Sequence, residues 1–115
     1  MSKIKPKKWT DIYPQGTKEG DDEAKFFRCL ARHPKYDWRS TAAIAKESGL
    51  DQRRAEEIIA KYFKLNMVIQ NPKNEDHWGY WERVMHMLPD DYVSISDADK
   101  NKRIGKFLKN TDPYP

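Results

Sequence analysis

The most regular feature of the chain is a stripe of apolar positions between residues 51 and 65. Spacing of i, i+3, i+4, i+7 and i+8 is typical of one face of an amphipathic helix. The residues of the stripe are Ala55, Ile58, Ile59, Tyr62 and Phe63. Asp51 suits the N-cap before the stripe, and Asn66 suits a left-handed C-cap after it. The pattern predicts a helix over residues 51–65.

Two further helices are predicted before this one. Carboxylates at 21–23 favour the N-terminal end of a helix, and apolar residues keep helical spacing from there until Pro34 stops the helix. A shorter helix begins at a Ser40 cap and ends at Gly49. Residues 1–20 show no helical period, so we expect an extended arm there.

The stretch after the longest helix has the pattern of a β-hairpin. Residues 67–70 and 77–84 are rich in the aromatic and branched residues that favour strands, and a turn-rich loop at 71–76 separates them. Gly79 permits close approach of another backbone. The expected hairpin has Trp78 and Tyr80 on one face, because alternate residues of a strand share a face.

A last, basic helix is predicted within residues 96–110. Ser96 suits its N-cap. Ile104, Phe107 and Leu108 form a short apolar stripe that docks on the domain, on a partner or on a second copy of the chain. A homodimer is therefore possible.

Length and composition indicate one small folded domain. The chain has 115 residues, of which 37% are hydrophobic and 35% charged. Its four Trp, six Tyr and four Phe are more than disordered chains carry, so we expect an aromatic core. The predicted organisation is a basic arm over 1–20, a domain over 21–88 and a tail with a short helix over 89–115.

Several classes of function are disfavoured by what the sequence contains. It has one cysteine, Cys29, which excludes an internal disulfide and a cysteine-rich zinc site. Cys29 and His33 are four residues apart with no third ligand nearby, so we expect no metal and no cofactor. There is no phosphate-binding glycine loop and no activated nucleophile, so we expect no enzyme. Without an apolar run or a signal peptide, the expected location is cytoplasmic, with no membrane association.

The positive charge is concentrated at the two ends of the chain. The formal net charge is +4, but residues 1–8 carry +4 and residues 96–115 carry +2, which leaves −2 for residues 9–95. Nucleic-acid-binding domains usually carry a basic surface on the folded part. The predicted nucleic-acid contacts therefore include the arm.

The order of these elements resembles the winged helix-turn-helix family over about residues 21–84. Ile44 and Ala45 on the first helix of the motif, Ser48-Gly49-Leu50 at the turn and Asn66-Met67-Val68 before the first strand carry the resemblance. It implies an α+β, mainly helical fold: a three-helix core with a C-terminal β-hairpin wing, to which basic tails and a short C-terminal helix are added.

In members that bind DNA, the second helix of the motif lies in the major groove and the wing contacts the backbone. The resemblance thus implies a protein that binds duplex DNA and regulates transcription, nucleoid-associated in the cell. The implied contacts are Lys3, Lys5, Lys7 and Lys8 in the arm, Gln52, Arg53, Lys61 and Lys64 on the helix, and Lys73, Asn74 and His77 in the wing.

Two alternatives stay open at this point. Arg53, Lys61 and Lys64 also fit a solvated helix face on which Glu57 and Lys61 form an i,i+4 pair. Winged helices also act as protein–protein adaptors. An adaptor would bind a polymerase or another partner protein through exposed aromatic and apolar side chains. Its candidate residues are Trp78, Tyr80, Ile104, Phe107 and Leu108.

Overall fold

The computed structural model describes residues 6–92 and 95–108. In these ranges the chain forms a mainly helical α+β domain with a small antiparallel sheet. The helices are α1 (Trp9–Ile12), α2 (Lys18–Ala31), α3 (Thr41–Ser48), α4 (Gln52–Lys64), α5 (Trp81–Val84) and α6 (Asp97–Phe107), with a 3-10 turn at Met85–Met87. The strands are β1 (Arg39–Ser40), β2 (Val68–Asn71) and β3 (Asn74–Tyr80).

Local capping sets the boundaries of α3 and α4. The Ser40 hydroxyl accepts from the Ala43 N–H at 3.1 Å, and the Asp51 carboxylate accepts from the Arg54 N–H at 2.8 Å. Gly49 ends α3 in the left-handed region at φ 79°, which glycine adopts at no steric cost because it has no Cβ. The predicted tight turn between the two helices is confirmed.

The sheet has the strand order β1-β3-β2, and both pairings are antiparallel. Arg39 lies opposite Trp78, and Val68 lies opposite Tyr80. Asn66, at φ 62°, links α4 to β2 in the left-handed conformation expected for it. The short strand β1 thus extends the hairpin that follows α4.

Two element boundaries predicted from the sequence are wrong. α2 begins at Lys18 and not at Gly20, because the Thr17 hydroxyl accepts from the Gly20 N–H at 2.9 Å and caps the helix earlier. β3 ends at Tyr80, and the residues predicted to continue it form α5. A side chain at Gly79 would come within 2.7 Å of Val84, so the chain turns back closely on the strand there.

The hairpin is tighter than the sequence suggested. The predicted loop at 71–76 shrinks to a turn, because β2 extends to Asn71 and β3 begins at Asn74. These two residues pair across the hairpin. The tip of the hairpin is therefore Pro72-Lys73.

The core lies between α2, α4 and the sheet, and it reaches beyond residues 21–88 at both ends. Trp9 belongs to the main apolar cluster and stacks on Phe27 with ring centroids 5.4 Å apart. Ile104 and Leu108 of α6 belong to the same cluster. The packed unit therefore includes α1 and α6, and the described part of the predicted arm is helical at α1.

Candidate nucleic-acid interface

The surface implied by the resemblance consists of the outer face of α4 and the tip of the hairpin, here called the α4–wing surface. Its side chains are exposed except for His77, which is half-buried. They are Gln52, Arg53, Lys61, Lys64, Lys73, Asn74 and His77. The structure places four of them on α4 and three in the hairpin, and their hydrogen-bond partners differ.

Lys61 forms ion pairs with two carboxylates of α2. Its Nζ lies 2.8 Å from Glu19 and 2.6 Å from Glu23. Glu23 is completely buried and also accepts a hydrogen bond from the Tyr62 hydroxyl. Burial acts to lower the pKa of Lys61, but the bonds to both carboxylates outweigh it and raise that pKa. Lys61 thus joins α4 to α2 instead of pairing with Glu57.

The two arginines at the start of α4 share one carboxylate. Glu57 lies 3.5 Å from Arg53 and 3.1 Å from Arg54. Arg54 also binds Asp22 of α2 at 3.0 Å. The hydrogen bond from Lys18, together with that from Arg54, lowers the pKa of Asp22 despite its burial. Much of the positive charge of α4 is therefore matched by acids of the same domain.

The hairpin tip presents a short polar surface. The Lys73 N–H donates to the Asn71 side chain at 2.8 Å, and the Asp76 N–H donates to the Asn74 side chain at 3.0 Å. These bonds shape the turn and leave the Lys73 side chain exposed. Glu75 lies 3.5 Å from Lys106 of α6.

α6 packs beside the α4–wing surface. Its buried Lys100 donates to Asn66 at 2.6 Å and to the carbonyl of Lys64 at 3.4 Å, which supplies a cation at the C-terminal end of α4. Arg103 donates to Gln70 of β2 at 3.1 Å. The predicted C-terminal helix exists, and it bridges the end of α4 and the hairpin.

The residues predicted to bind a partner protein lie in the core of the domain. Trp78 is 1% exposed and Tyr80 2% exposed. The Trp78 indole donates to Thr41 and packs edge-on against the rings of Phe63 and Phe107. The expectation that these aromatic side chains form an exposed face is wrong.

The same correction applies to the apolar stripe of α6. Ile104 and Leu108 are buried, and Phe107 is partly buried. The physical reason is that α1 and α6 cover aromatic side chains that a bare three-helix core and hairpin would leave open. Docking on the domain was one of the three alternatives expected for this stripe, and it is the one observed.

The arm is attached to the domain where the structure describes it. The Trp81 indole donates to the carbonyl of Lys7 at 3.2 Å, and the Trp9 N–H donates to the Tyr80 hydroxyl at 3.0 Å. Lys7 and Lys8 are exposed, and Lys8 lies 3.6 Å from Glu82. Lys3 and Lys5 lie outside the described residues.

Sequence reasoning missed a row of cations on α2. Lys25 and Arg28 of α2 and Arg32, the C-cap residue that follows the helix, are all exposed. Their i, i+3, i+7 spacing places them on one side of the helix. We call this set the α2 cation face. The i, i+3, i+7 spacing of these cations is visible in the sequence.

Cys29, beside this face, has no metal-site geometry. Its Sγ lies 3.5 Å from Glu47, and His33 lies 3.7 Å from the same carboxylate. Burial, with the neighbouring carboxylate, raises the pKa of the Cys29 thiol to about 11. Within residues 6–92 and 95–108 no group of three or more His, Cys, Asp or Glu could hold a metal ion.

Comparison of this chain with known protein families, with curated proteins and with solved structures found no match. In the part of the chain that the structure describes, no helix is long and apolar enough to cross a membrane.

Proposed function

We propose that the chain is a small winged-helix domain that binds duplex DNA in a regulatory role. The observation that carries the proposal is the arrangement of α3, the tight turn at Gly49, α4 and the hairpin, with β1 added beside β3. In the winged helix-turn-helix family the second helix of this motif and the hairpin tip face the duplex.

The set of residues proposed to contact DNA on this side is smaller than the set implied by the sequence. Gln52 and Arg53 are exposed on the first turn of α4, and Lys73 and Asn74 are exposed at the hairpin tip. An arginine fork suits a guanine edge and a glutamine suits an adenine edge, while Lys73 suits a backbone phosphate. Lys61 is left out of the contact set, because its ammonium group binds two carboxylates of another helix. Arg53 and Gln52 are kept, since they contact Glu57 and Glu56 of α4 itself, at 3.5 and 3.3 Å.

The test is duplex binding by the intact protein, measured by fluorescence anisotropy with a labelled 12-base-pair duplex at low salt. The double variant Arg53→Gln, Lys73→Gln removes one cation from α4 and one from the hairpin tip. We expect its affinity to fall about tenfold. The matched control is Lys46→Gln, Lys102→Gln, which removes the same charge from exposed positions elsewhere.

When the measurement is repeated at about 0.15 M salt, the control variant is expected to bind within about twofold of the wild type, since exposed charges more than about 8 Å apart are then largely screened. Equal loss in both double variants would show non-specific attraction only. No binding of the wild-type protein at low ionic strength would refute the proposal.

A further inference from the structure

The cations of the α2 cation face have no carboxylate partner among the described residues, in contrast to those of α4. Lys25, Arg28 and Arg32 form no ion pair there. The Arg32 guanidinium instead lies 5.9 Å from the centroid of the Trp9 ring, within the range of a cation–π contact. One exposed acid, Asp21, shares this side of the helix, one turn before Lys25.

The face is extended by the anchored end of the arm. Arg32 and Lys8 line the same surface pocket, beside Trp9, and the pocket also contains Glu82, which lies 3.6 Å from Lys8 on the exposed surface. Lys7 is exposed next to Lys8, and its carbonyl is fixed by the Trp81 indole. The backbone attachment of the arm therefore brings Lys8, with Lys7 next to it in the chain, to the C-terminal end of the α2 cation face.

This face points away from α4. The residues of α2 that bind α4 are Glu19, Asp22 and Glu23. With 3.6 residues per turn, the α2 cation face lies roughly 140° around the helix axis from them. A short straight duplex on the α4–wing surface therefore does not reach it.

We propose that the α2 cation face, with Lys7 and Lys8, is a second surface that binds the phosphate backbone of nucleic acid. Lys25 and Arg32 are separated by roughly 10 Å along the helix axis. A strand of duplex carries one phosphate per about 3.4 Å of axis, so the face matches about three successive phosphates. Arg28 and Arg32 each offer the planar fork that binds phosphate in a bidentate way.

An anionic membrane surface is the competing partner, and the composition of the face disfavours it. Helices that lie on membranes bury large apolar side chains in the bilayer. The exposed large apolar residues among those the structure describes are Tyr36, Leu65 and Met87, and none is on α2. The face binds by charge alone, which suits a backbone of phosphates.

The experiment compares two double variants of the full chain that remove the same charge. Lys25→Gln, Arg28→Gln alters the α2 cation face and leaves Arg32 against Trp9, so the core contact is kept. The control is Lys46→Gln, Lys102→Gln. Binding of a 12-base-pair duplex is followed by anisotropy over a range of salt concentrations.

Because one short duplex reaches only one of the two surfaces, both double variants are compared in the Arg53→Gln, Lys73→Gln background, in which the α4–wing surface is weakened. In that background we expect the α2 variant to lose about fivefold or more in affinity at low salt, and the slope of log affinity against log salt to decrease by roughly two, since each neutralised phosphate contributes about 0.9. The control is expected to change affinity by less than about twofold. Equal effects of both variants would overturn the proposal.

Two further measurements distinguish this inference from the proposed function and from membrane binding. The proposed function fails if Arg53→Gln, Lys73→Gln has no effect on duplex binding, whereas a lack of effect of Lys25→Gln, Arg28→Gln overturns the present inference and leaves the proposed function standing. Vesicles of phosphatidylserine and phosphatidylcholine test the membrane. Loss of vesicle binding in the α2 variant, with no loss of duplex binding, would assign the face to lipid and overturn the inference.

Discussion

The outer face of α4 and the α2 cation face both present lysines and arginines, but the domain uses the two sets differently. On α4, Lys61 and Arg54 bind acids of α2 and help to fix the packing of the two helices. On the other side of α2, Lys25 and Arg28 bind no acid of the described residues. Lys25 and Arg28 can thus bind an external anion without breaking an ion pair of the described residues, whereas Lys61 and Arg54 cannot.

The difference follows from the distribution of acids along α2. Its residues Glu19, Asp22 and Glu23 face α4 and supply the negative charge that α4 binds. The opposite side of the same helix carries one exposed acid, Asp21, against three cations. On one side, α2 therefore neutralises positive charge of α4 with its acids. On the other side, it presents positive charge to the solvent.

The largest predicted effect is on stability at Lys61. Lys61→Met leaves the buried carboxylate of Glu23 without its cation, and breaking a buried pair in this way is strongly destabilising. Because the Lys61 side chain is partly exposed, we expect the free energy of unfolding to fall by about 2 kcal/mol. Urea denaturation monitored by tryptophan fluorescence measures this.

The matched control for that change is Lys25→Met on the α2 cation face. Surface substitutions away from special features stay within about 0.5 kcal/mol, so this variant is expected to unfold like the wild type. If both variants lose the same stability, the contrast between the two sets of cations does not hold.

A smaller effect on the free energy of unfolding is expected from the ion pairs of Asp22 with Lys18 and Arg54, and this effect depends on pH. The pKa values of Asp22 and Glu19 are lowered in the folded protein, chiefly by hydrogen bonds from Lys18 and Lys61 respectively. Their contribution is complete above their ordinary pKa values of 3.8 and 4.5, and it is lost as the pH falls through the lower folded values.

Asp22→Asn is therefore expected to lower the free energy of unfolding by about 1 kcal/mol at pH 7. The difference from the wild type should shrink as the pH falls below 3.8. Asp21→Asn, on the cation side of α2, is the control and should change stability at pH 7 by less than about 0.5 kcal/mol. If the stability difference between Asp22→Asn and the wild type persists at the lowest pH, the ionised carboxylate of Asp22 is not its cause.

The smallest effect concerns the thiol of Cys29, next to Arg28 in the chain. With a pKa of about 11, the thiol reacts slowly with iodoacetamide at pH 8, since only the thiolate is nucleophilic. Glu47→Gln removes the carboxylate that contributes to the raised pKa of Cys29, so the alkylation rate should rise several-fold. The part of the pKa shift that is caused by burial remains. Lys46→Gln is the control. An unchanged rate in Glu47→Gln would show that the carboxylate has no influence.

Features that depend on neighbouring residues in the chain were predictable from the sequence. The caps at Ser40, Asp51 and Ser96, and the left-handed positions of Gly49 and Asn66, are where the sequence placed them. Each depends on one side chain and the backbone within a few residues. Short-range rules are sufficient for such positions. The Thr17 cap of α2 is equally local, but it was missed because residues 1–20 were assigned to an extended arm.

Features that depend on distant contacts were not predictable. The strand predicted through 77–84 is cut short after Tyr80, where the chain folds back towards Val84 against Gly79. The bond from Lys61 to Glu23 joins residues 38 positions apart. Tertiary packing overrides the β preference of the aromatic residues in the first case, and in the second no local pattern shows which acid a lysine will find.

The most direct test of the contrast is an NMR titration of the ¹⁵N-labelled full chain with a 12-base-pair duplex at low and moderate salt. We predict shifts in the amide signals of residues 25–32, and of Gln52, Arg53, Lys73 and Asn74, with little change at Lys61. Shifts centred on Lys61, with none on α2, would contradict the account, because the cations that hold the helices together would then be those that bind DNA.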